Sequence, residues 1–316
     1  MKPFISICIP AYKRQDFLSR LLDSIAGQTY RDFEVIITDD SGDATVASLA
    51  AQYESLFPLR YISNPQALGT PANWNAGIRH ATGQWIKLMH DDDWFTDSSS
   101  LQQFADAATQ AGSGFIFSGF YEVDLDNGHR ELHVLQGWRK RLLQRSPYNI
   151  LSRNVIGHPS TTLLRNDQDS WYNERLKWVV DIEFYVRQLN KNGGRFVDIP
   201  HPLVCLGMSN EQVTKTVFRK PAVEIPENIC LLNIITPAGL RPIMAYDYFW
   251  RFLRNLSIRD MAYLEQYNQE CPIPALIGRM VAQQRSIPLP LLKHGIISKA
   301  AMLLSYAICR ITGLLR

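Results

Sequence analysis

The stretch Trp85-Ile86-Lys87-Leu88-Met89-His90-Asp91-Asp92-Asp93-Trp94 limits the possible fold more than any other. An apolar run of this kind reads as a buried strand. It breaks off into three adjacent acids, so the strand must leave the interior where those carboxylates meet compensating charge. A divalent cation carrying a phosphate ligand supplies that charge. The competing reading is a solvated acidic turn ahead of a helix capped from Asp97 and Ser98 to Ser100.

The neighbouring segments bear on the choice. Phe4 to Ile9 reads as a strand ended by Pro10, and Lys13 to Gln28 as a helix with Phe17, Leu18, Leu21, Leu22 and Ile25 on one face. Phe33 to Thr38 is a second strand, followed by Asp39-Asp40-Ser41-Gly42 and a helix capped by Asp43 that reaches about Phe57. Leu59 to Ile62, a helix from Gly69 to Ala81 and a strand from Gln84 to Met89 continue the alternation. Strand and helix alternating with short links predict an α/β fold, a mostly parallel sheet covered on both faces. Ligands bind such sheets beyond the carboxyl ends of the strands. Pro10-Ala11-Tyr12, Asp39-Asp40 and His90 to Asp93 all fall there, and this shared rim favours a binding site over a solvated turn.

Further along, Leu101 to Ala111 reads as a helix and Gly114 to Val123 as a strand. Residues 124–145 read as a polar loop or hairpin, with His129 and His133 taken as surface residues rather than metal ligands. Ser160 to Leu164 is apolar, Trp178 to Leu189 helical, Arg195 to Leu206 a strand, and Gly207 to Lys220 a polar loop. From about Pro221 the chain is helical and rich in aromatic residues and arginine.

Hydrophobic content of 46% and charged content of 20% are those of a folded protein. A net charge of +3 is too small to imply nucleic-acid binding, and its distribution matters more than its sum. From Cys271 onward there is no Asp or Glu, against Arg279, Arg285, Lys293, Lys299, Arg310 and Arg316. The five cysteines are scattered, without metal-ligand spacing, which fits a reducing compartment. No signal peptide is expected ahead of the first strand, and no apolar run is long enough to span a bilayer. Lys299 to Arg316 reads as an apolar, cationic helix suited to an anionic membrane surface. Packing on the domain or a dimer contact, and hence a homo-oligomer, is the alternative for the same segment.

Four motifs in order carry a resemblance: Ile7 to Arg14, Glu34 to Ser41, Gly69 to Gly77 with Asn73-Trp74-Asn75, and Gly83 to Trp94. Together they resemble the inverting nucleotide-sugar glycosyltransferases of family 2, of the bacterial surface-polysaccharide type, over about residues 4–206. The resemblance implies a GT-A fold: a mostly parallel, Rossmann-like sheet flanked by helices. It also implies a catalytic domain over 1–220, followed by a helical extension over 221–316.

Carried over position by position, Pro10, Ala11 and Tyr12 look like the base-binding turn, with Arg14 in reach of ribose or phosphates. Asp39 and Asp40 look like the pair that reads base or ribose, one of which can instead cap the next helix. Asn73 would hydrogen-bond the donor, and Gly69 lets the backbone approach it closely. His90 to Asp93 occupies the Asp-x-Asp metal motif in one of two registers. Aligned on Trp94, His90 stands where the first Asp belongs and Asp92 takes the metal position; read literally, Asp91 and Asp93 are the pair. Asp92 is the preferred ligand for Mg²⁺ or Mn²⁺, with Asp93 as the second candidate and Asp91 toward the nucleotide-sugar. Asp181 aligns with the general base, Val180 replacing the usual Glu before it, and Glu183 is the reserve. His158 and Lys215 are weaker candidates for acceptor or diphosphate contacts.

The function so implied is transfer of a sugar from a nucleoside-diphosphate donor, read as UDP-linked, to a hydroxyl of a saccharide or lipid-linked saccharide. Its place would be the cytoplasmic face of the membrane, with peripheral contact through the C-terminal segment. A degenerate, non-catalytic scaffold and a nucleotidyltransferase are the alternatives. A dehydrogenase is disfavoured because no G-x-G-x-x-G follows the first strand.

Overall fold

The computed structural model describes residues 2–208, 219–235, 238–268 and 270–315. The chain divides into two compact units, 1–144 with 155–212 and 145–154 with 213–316. The segment 145–154 groups with the C-terminal unit.

The first unit is built on a nine-stranded sheet. Its strands are β1 (Ile5–Ala11), β2 (Phe33–Asp39), β3 (Leu59–Ser63), β4 (Trp85–Leu88), β5 (Trp94–Phe95), β6 (Phe115–Asp124), β7 (Arg130–His133), β8 (Thr162–Arg165) and β9 (Val197–Met208). Their order is β3-β2-β1-β4-β8-β6-β9-β5, with β7 paired to β6. The run β3-β2-β1-β4 is parallel, as the strand–helix alternation predicts. Beyond it the sheet is mixed: β4 with β8, β8 with β6, and β9 with β5 are antiparallel, while β6 and β9 run parallel.

β1 and β2 are buried almost throughout because helices cover the sheet on both faces. Helix α1 (Gln15–Ala26) turns Leu18, Leu21, Leu22 and Ile25 inward as one stripe. Helices α2 (Thr45–Ala51), α3 (Ala72–His80) and α4 (Ser100–Gln110) complete the N-terminal half.

The register sets the rim. Cys8 lies beside Leu88 and Ala11 beside Asp39, so β1 and β2 end together while β4 stops early. The acids are then the crossover by which the chain leaves β4 and re-enters the same sheet as β5 at its far edge, where Trp94 pairs with Cys205.

One segment differs from expectation. Residues 124–145 hold the expected hairpin, β6 with β7, but also a helix, α5 (Gly137–Arg145), whose Arg-Lys-Arg run hid its short apolar stripe. Helix α6 (Val180–Lys191) is followed by β9 in the expected order.

The second unit is helical: α7 (Pro221–Ile235), α8 (Ile243–Asn255), α9 (Met261–Tyr267), α10 (Ala275–Arg285), α11 (Leu289–Lys293) and α12 (Gly295–Ile311). Its core gathers Tyr246, Phe249, Trp250 and Leu253 of α8, Ile277 and Met280 of α10, and Met302 of α12. Cys230 and Cys271 form a disulfide, which corrects the expectation of a chain fitted to a reducing compartment; Cys8, Cys205 and Cys309 are buried thiols.

Candidate active site

The turn after β1 opens the rim. Lys13 holds a left-handed φ of 64°, unusual for a side chain with a Cβ, and its N–H donates to Ser41 Oγ at 2.8 Å. This ties the β1 turn to the β2 turn and leaves Tyr12 52% exposed at the edge. Such a ring offers a face for a nucleobase.

The acids of the β2 turn are engaged within the protein. Asp39 accepts from Ser41 N and Tyr61 Oη, each at 2.8 Å. Asp40 accepts from Asn64 Nδ2, Leu68 N and Gly69 N at 2.8–3.0 Å, and so fixes the loop ahead of α3. Asn73, expected to face a donor, is buried. It donates from Nδ2 to Thr38 O at 3.0 Å and accepts from Asn64 Nδ2 at 3.0 Å. These three residues shape the rim from behind.

The acidic stretch finds its first compensation in the protein itself. Arg14 donates from Nη2 to Asp91 Oδ1 at 2.5 Å and from Nη1 to Asp92 Oδ2 at 3.1 Å. Arg20 donates to the Asp92 carbonyl at 3.0 Å and lies 3.9 Å over the Trp94 ring. Burial still pushes the Asp91 carboxyl up to about 7, against the pull of Arg14, and the Asp92 charge adds to the push. Arg14 was expected on ribose or phosphates; here it bridges the two acids.

Asp93 lies apart from that bridge. Its Oδ1 accepts from Gly207 N at 3.1 Å, and Oδ2 is buried without a hydrogen-bond partner among the described residues. Burial, then the Asp92 charge, raises its carboxyl well above the usual range. His90 stacks near Trp74, centroids 4.7 Å apart, and its main-chain N–H donates to Ser160 Oγ at 2.9 Å. Its Nε2 is likewise buried and unpartnered, and burial pushes the imidazole down to about 4. Ligand atoms of His90, Asp93 and His158 lie within 4.8 Å of one another. Two orphaned ligand atoms and a nitrogen–oxygen donor set fit a divalent cation. Asp92, the preferred metal ligand from the sequence, sits on the Arg14 side instead.

His158 is placed by a glycine. Gly157 has φ +94°, and a Cβ there would lie 2.7 Å from the Phe120 ring. Thr161 N donates to His158 O at 3.0 Å, which closes the turn before β8.

Helix α6 carries the base candidates. Glu183 is buried and accepts from Arg187 Nε at 2.9 Å and Nη2 at 3.0 Å. Arg187 also donates to Trp171 O at 2.6 Å. The reserve candidate is thereby closed off by a two-bond ion pair. Asp181 sits in the first turn, accepting from Ile182 N at 2.8 Å. Its charge reaches Tyr172 and Tyr185: both phenols are raised by burial first, with Asp181 adding to the shift. Tyr185 Oη donates to Gly157 O at 3.1 Å, and Tyr172 stacks on Phe184 at 3.9 Å and edges Trp74 at 5.1 Å. An aromatic series His90–Trp74–Tyr172–Phe184 thus joins the acidic stretch to the helix bearing Asp181. Lys215 lies outside the described residues.

Three functional neighbours went unread in the sequence. Lys87 is wholly buried and donates to Ser160 O; a lysine inside an apolar run was the available signal. Gly207 lets β9 pass the Asp92 carbonyl, on which any Cβ would sit. Tyr185 ties α6 to the His158 turn, and nothing in its spacing distinguishes it from a packing residue.

Comparison with known proteins agrees with this geometry. The family model for glycosyl transferase family 2 matches residues 6–168. The uncharacterized glycosyltransferase YwdF of Bacillus subtilis is 41% identical over 92 residues, 29% of this chain, and the match spans 34% of YwdF. The crystal structure of S. aureus TarS in complex with UDP superposes with a TM-score of 0.61 at 17% identity, covering 97% of this chain and 89% of that one. The mannosyltransferase PcManGT from Pyrobaculum calidifontis, in complex with GDP-Man and Mn²⁺, superposes with a TM-score of 0.55 at 14% identity, covering 98% and 88%. The parallel half-sheet, its polar rim and the match over more than half the chain lead to one conclusion: the chain belongs to glycosyl transferase family 2, a glycosyltransferase with the GT-A fold.

Proposed function

We propose that the enzyme transfers a sugar, with inversion, from a nucleoside-diphosphate donor, read as UDP-linked, to a hydroxyl of a saccharide or lipid-linked saccharide. The observation that carries this reading is the register that brings exposed Tyr12, the Asp39–Asp40 turn and the acidic crossover to one rim. Tyr12 would stack on the base, with Pro10 and Ala11 shaping its seat and Asp39 and Asp40 holding the rim. Arg14, already turned to Asp91 and Asp92, would meet the diphosphate.

Asp181 would accept the proton of the acceptor hydroxyl while that oxygen bonds to the anomeric carbon. The bond from that carbon to the diphosphate oxygen breaks on the opposite side, and the electron pair leaves with the nucleoside diphosphate. Glu183 is held by Arg187, which supports Asp181 for this role. A bound Mg²⁺ or Mn²⁺ supplies positive charge to the leaving diphosphate. TarS was crystallised with UDP and PcManGT with GDP-Man and Mn²⁺, which is in keeping with a nucleotide-sugar donor and a divalent cation.

Steady-state transfer assays on Asp181→Asn test the proposal. The turnover number should fall by about 10²- to 10⁴-fold, the range for loss of a general base, with little change in donor KM. Full activity in that variant would remove Asp181 from the mechanism. Absence of thermal stabilisation by any nucleotide-sugar, with or without Mn²⁺, would overturn the donor reading.

The acceptor is proposed to lie at a membrane surface. On α12, Ile296, Leu303, Leu304 and Ile311 are exposed on one face, while Ser298, Met302, Ser305 and Cys309 face inward. Among the described residues no helix is long and apolar enough to cross a membrane, so the contact proposed is peripheral. Lys299 is paired with Asp247 at 3.2 Å, which leaves Lys293 and Arg310 as cations of this segment among the described residues.

A further inference from the structure

We infer that the divalent cation is held by His90, Asp93 and His158, through two imidazole nitrogens and one carboxylate, and not by Asp92. This rests on the transferase reading and assigns the ligand set of its cation. It begins from charge. Three adjacent carboxylates need positive charge, and Arg14 meets that need for Asp91 and Asp92 with two charge-assisted hydrogen bonds. Asp93 takes no part in the bridge. It is 1% exposed; its carboxylate accepts from Gly207 N at Oδ1 and from the Ser160 side chain, and Oδ2 has no partner among the described residues.

The second line is the set of orphaned atoms. Burying a polar atom without a partner is costly, so those that persist mark a missing partner. Asp93 Oδ2 and His90 Nε2 are both in this state. One ligand atom each of His90, Asp93 and His158 falls within 4.8 Å of the others, and His90 Nδ1 lies 3.9 Å from Asp93 Oδ2, so a single cation is within reach of all three side chains. Among the described residues no cationic side chain fills that gap: Lys87 turns its Nζ to the Ser160 carbonyl.

The third line is support for the ligands. Trp74 covers one face of His90, and Ser160 fixes the His90 main chain. The strained turn at Gly157, tied by Tyr185 Oη, fixes His158. His158 is partly exposed, so the site is walled on the His90 and Asp93 side and open on the other. Three protein ligands with open positions are the form of a catalytic cation site. Imidazole nitrogen suits Zn²⁺, Fe²⁺ and Ni²⁺, whereas Mg²⁺ and Mn²⁺ are suited to oxygen ligands, so this mixed set moves the site away from an all-oxygen Mg²⁺ preference. The substitution of histidine at the first position of the acid motif thus changes the metal preference, and His158 is the partner that makes the change coherent.

Pulsed EPR of the Mn²⁺-loaded full chain tests the assignment without turnover. Wild type should show ¹⁴N couplings from coordinated imidazole, and Mg²⁺ should compete at least about tenfold more weakly than Mn²⁺. Asp92→Asn should keep the ¹⁴N couplings. His158→Ala should weaken Mn²⁺ binding by about tenfold or more, since loss of a supporting group alone costs metal sites that much. Mn²⁺ bound to wild type without ¹⁴N coupling would overturn the assignment, and that result needs no variant to fold. So would loss of binding in Asp92→Asn with binding kept in His158→Ala. If ¹⁴N coupling is absent while wild type still transfers sugar, the ligand set fails and the transferase reading stands. If coupling is present and no nucleotide-sugar is bound, the reverse holds.

Discussion

Lys87 is the residue at which folding and chemistry meet most directly. Its side chain is buried in the sheet, 4.5 Å over the Phe104 ring, with Nζ on the Ser160 carbonyl. Burial lowers its pKa from 10.5 to about 7, and the Asp93 charge resists only in part. Between those two values the unfolded chain binds a proton that the folded chain does not. Stability therefore rises with pH across that window, and the full burden of a buried charge applies below about pH 7. Lys87→Met should gain on wild type in denaturant midpoint at pH 6 relative to pH 10. A difference between the two proteins that does not vary with pH would mean the amine is not buried as described. The Ser160 carbonyl loses its donor in this variant, so the pH trend, not the absolute change, is diagnostic. The bridge at Arg14 belongs to the same scale. Arg14 and Asp91 are 77 positions apart, and no local pattern in the sequence pairs them. What was legible was the need for a cation near the acids; which cation answered was not.

At the level of elements, the strand–helix alternation up to Leu88 was legible because β1, β2 and β4 are buried on both faces and read as near-continuous apolar runs. The rim followed from the same reading, since each run ends in polar residues. The second half of the sheet was less legible. β8 has only four residues and β5 two, too short for a periodic signal. The crossover from β4 to β5 depends on β9, more than 100 residues downstream, lying beside it. The approach of β9 is set by Gly207, where any Cβ would collide with the Asp92 carbonyl. Gly207→Ala must displace either β9 or the acidic crossover, and overpacking of this kind costs about 1–3 kcal/mol. We expect a lower melting temperature and, beyond that, impaired transfer at temperatures where the variant is fully folded. A folded variant with wild-type kinetics would show that the crossover tolerates the shift. Asp40→Ala acts on another element, the loop that Asp40 holds through Leu68 N and Gly69 N. It should raise donor KM more than it lowers turnover, because a loosened loop costs binding before it costs chemistry.

At the scale of the whole chain, the excess of positive charge and the disulfide both fall in the helical unit. Cys230 and Cys271, separated by 41 positions, are disulfide-bonded. The chain-entropy model gives a link of that span about 4 kcal/mol. Unfolding followed by fluorescence with and without a reductant should show a loss of that order in the transition reporting Trp250. An unchanged transition would mean the bond does not form in solution. Scattered cysteine spacing concealed this pair, because α7 and the segment before α10 meet only in the folded unit.

The acid-free tail was legible from composition, whereas its presentation was not: the helix pairs Lys299 with Asp247 and leaves its apolar face outward. Ile311 is 81% exposed and Leu304 65%. Leaving such side chains in water forgoes about 1.5–3 kcal/mol each when fully buried, and a membrane surface recovers that while Lys293 and Arg310 meet anionic headgroups. Vesicle flotation should therefore show binding to anionic but not neutral vesicles, weakening as salt rises. Leu304→Asp with Ile311→Asp should reduce binding by at least about tenfold, from the loss of two inserted side chains. Transfer to a soluble acceptor should be unaffected, because neither residue belongs to the sheet rim. Undiminished binding in the double variant would place the contact elsewhere, and binding to neutral vesicles alone would remove the electrostatic part of the argument.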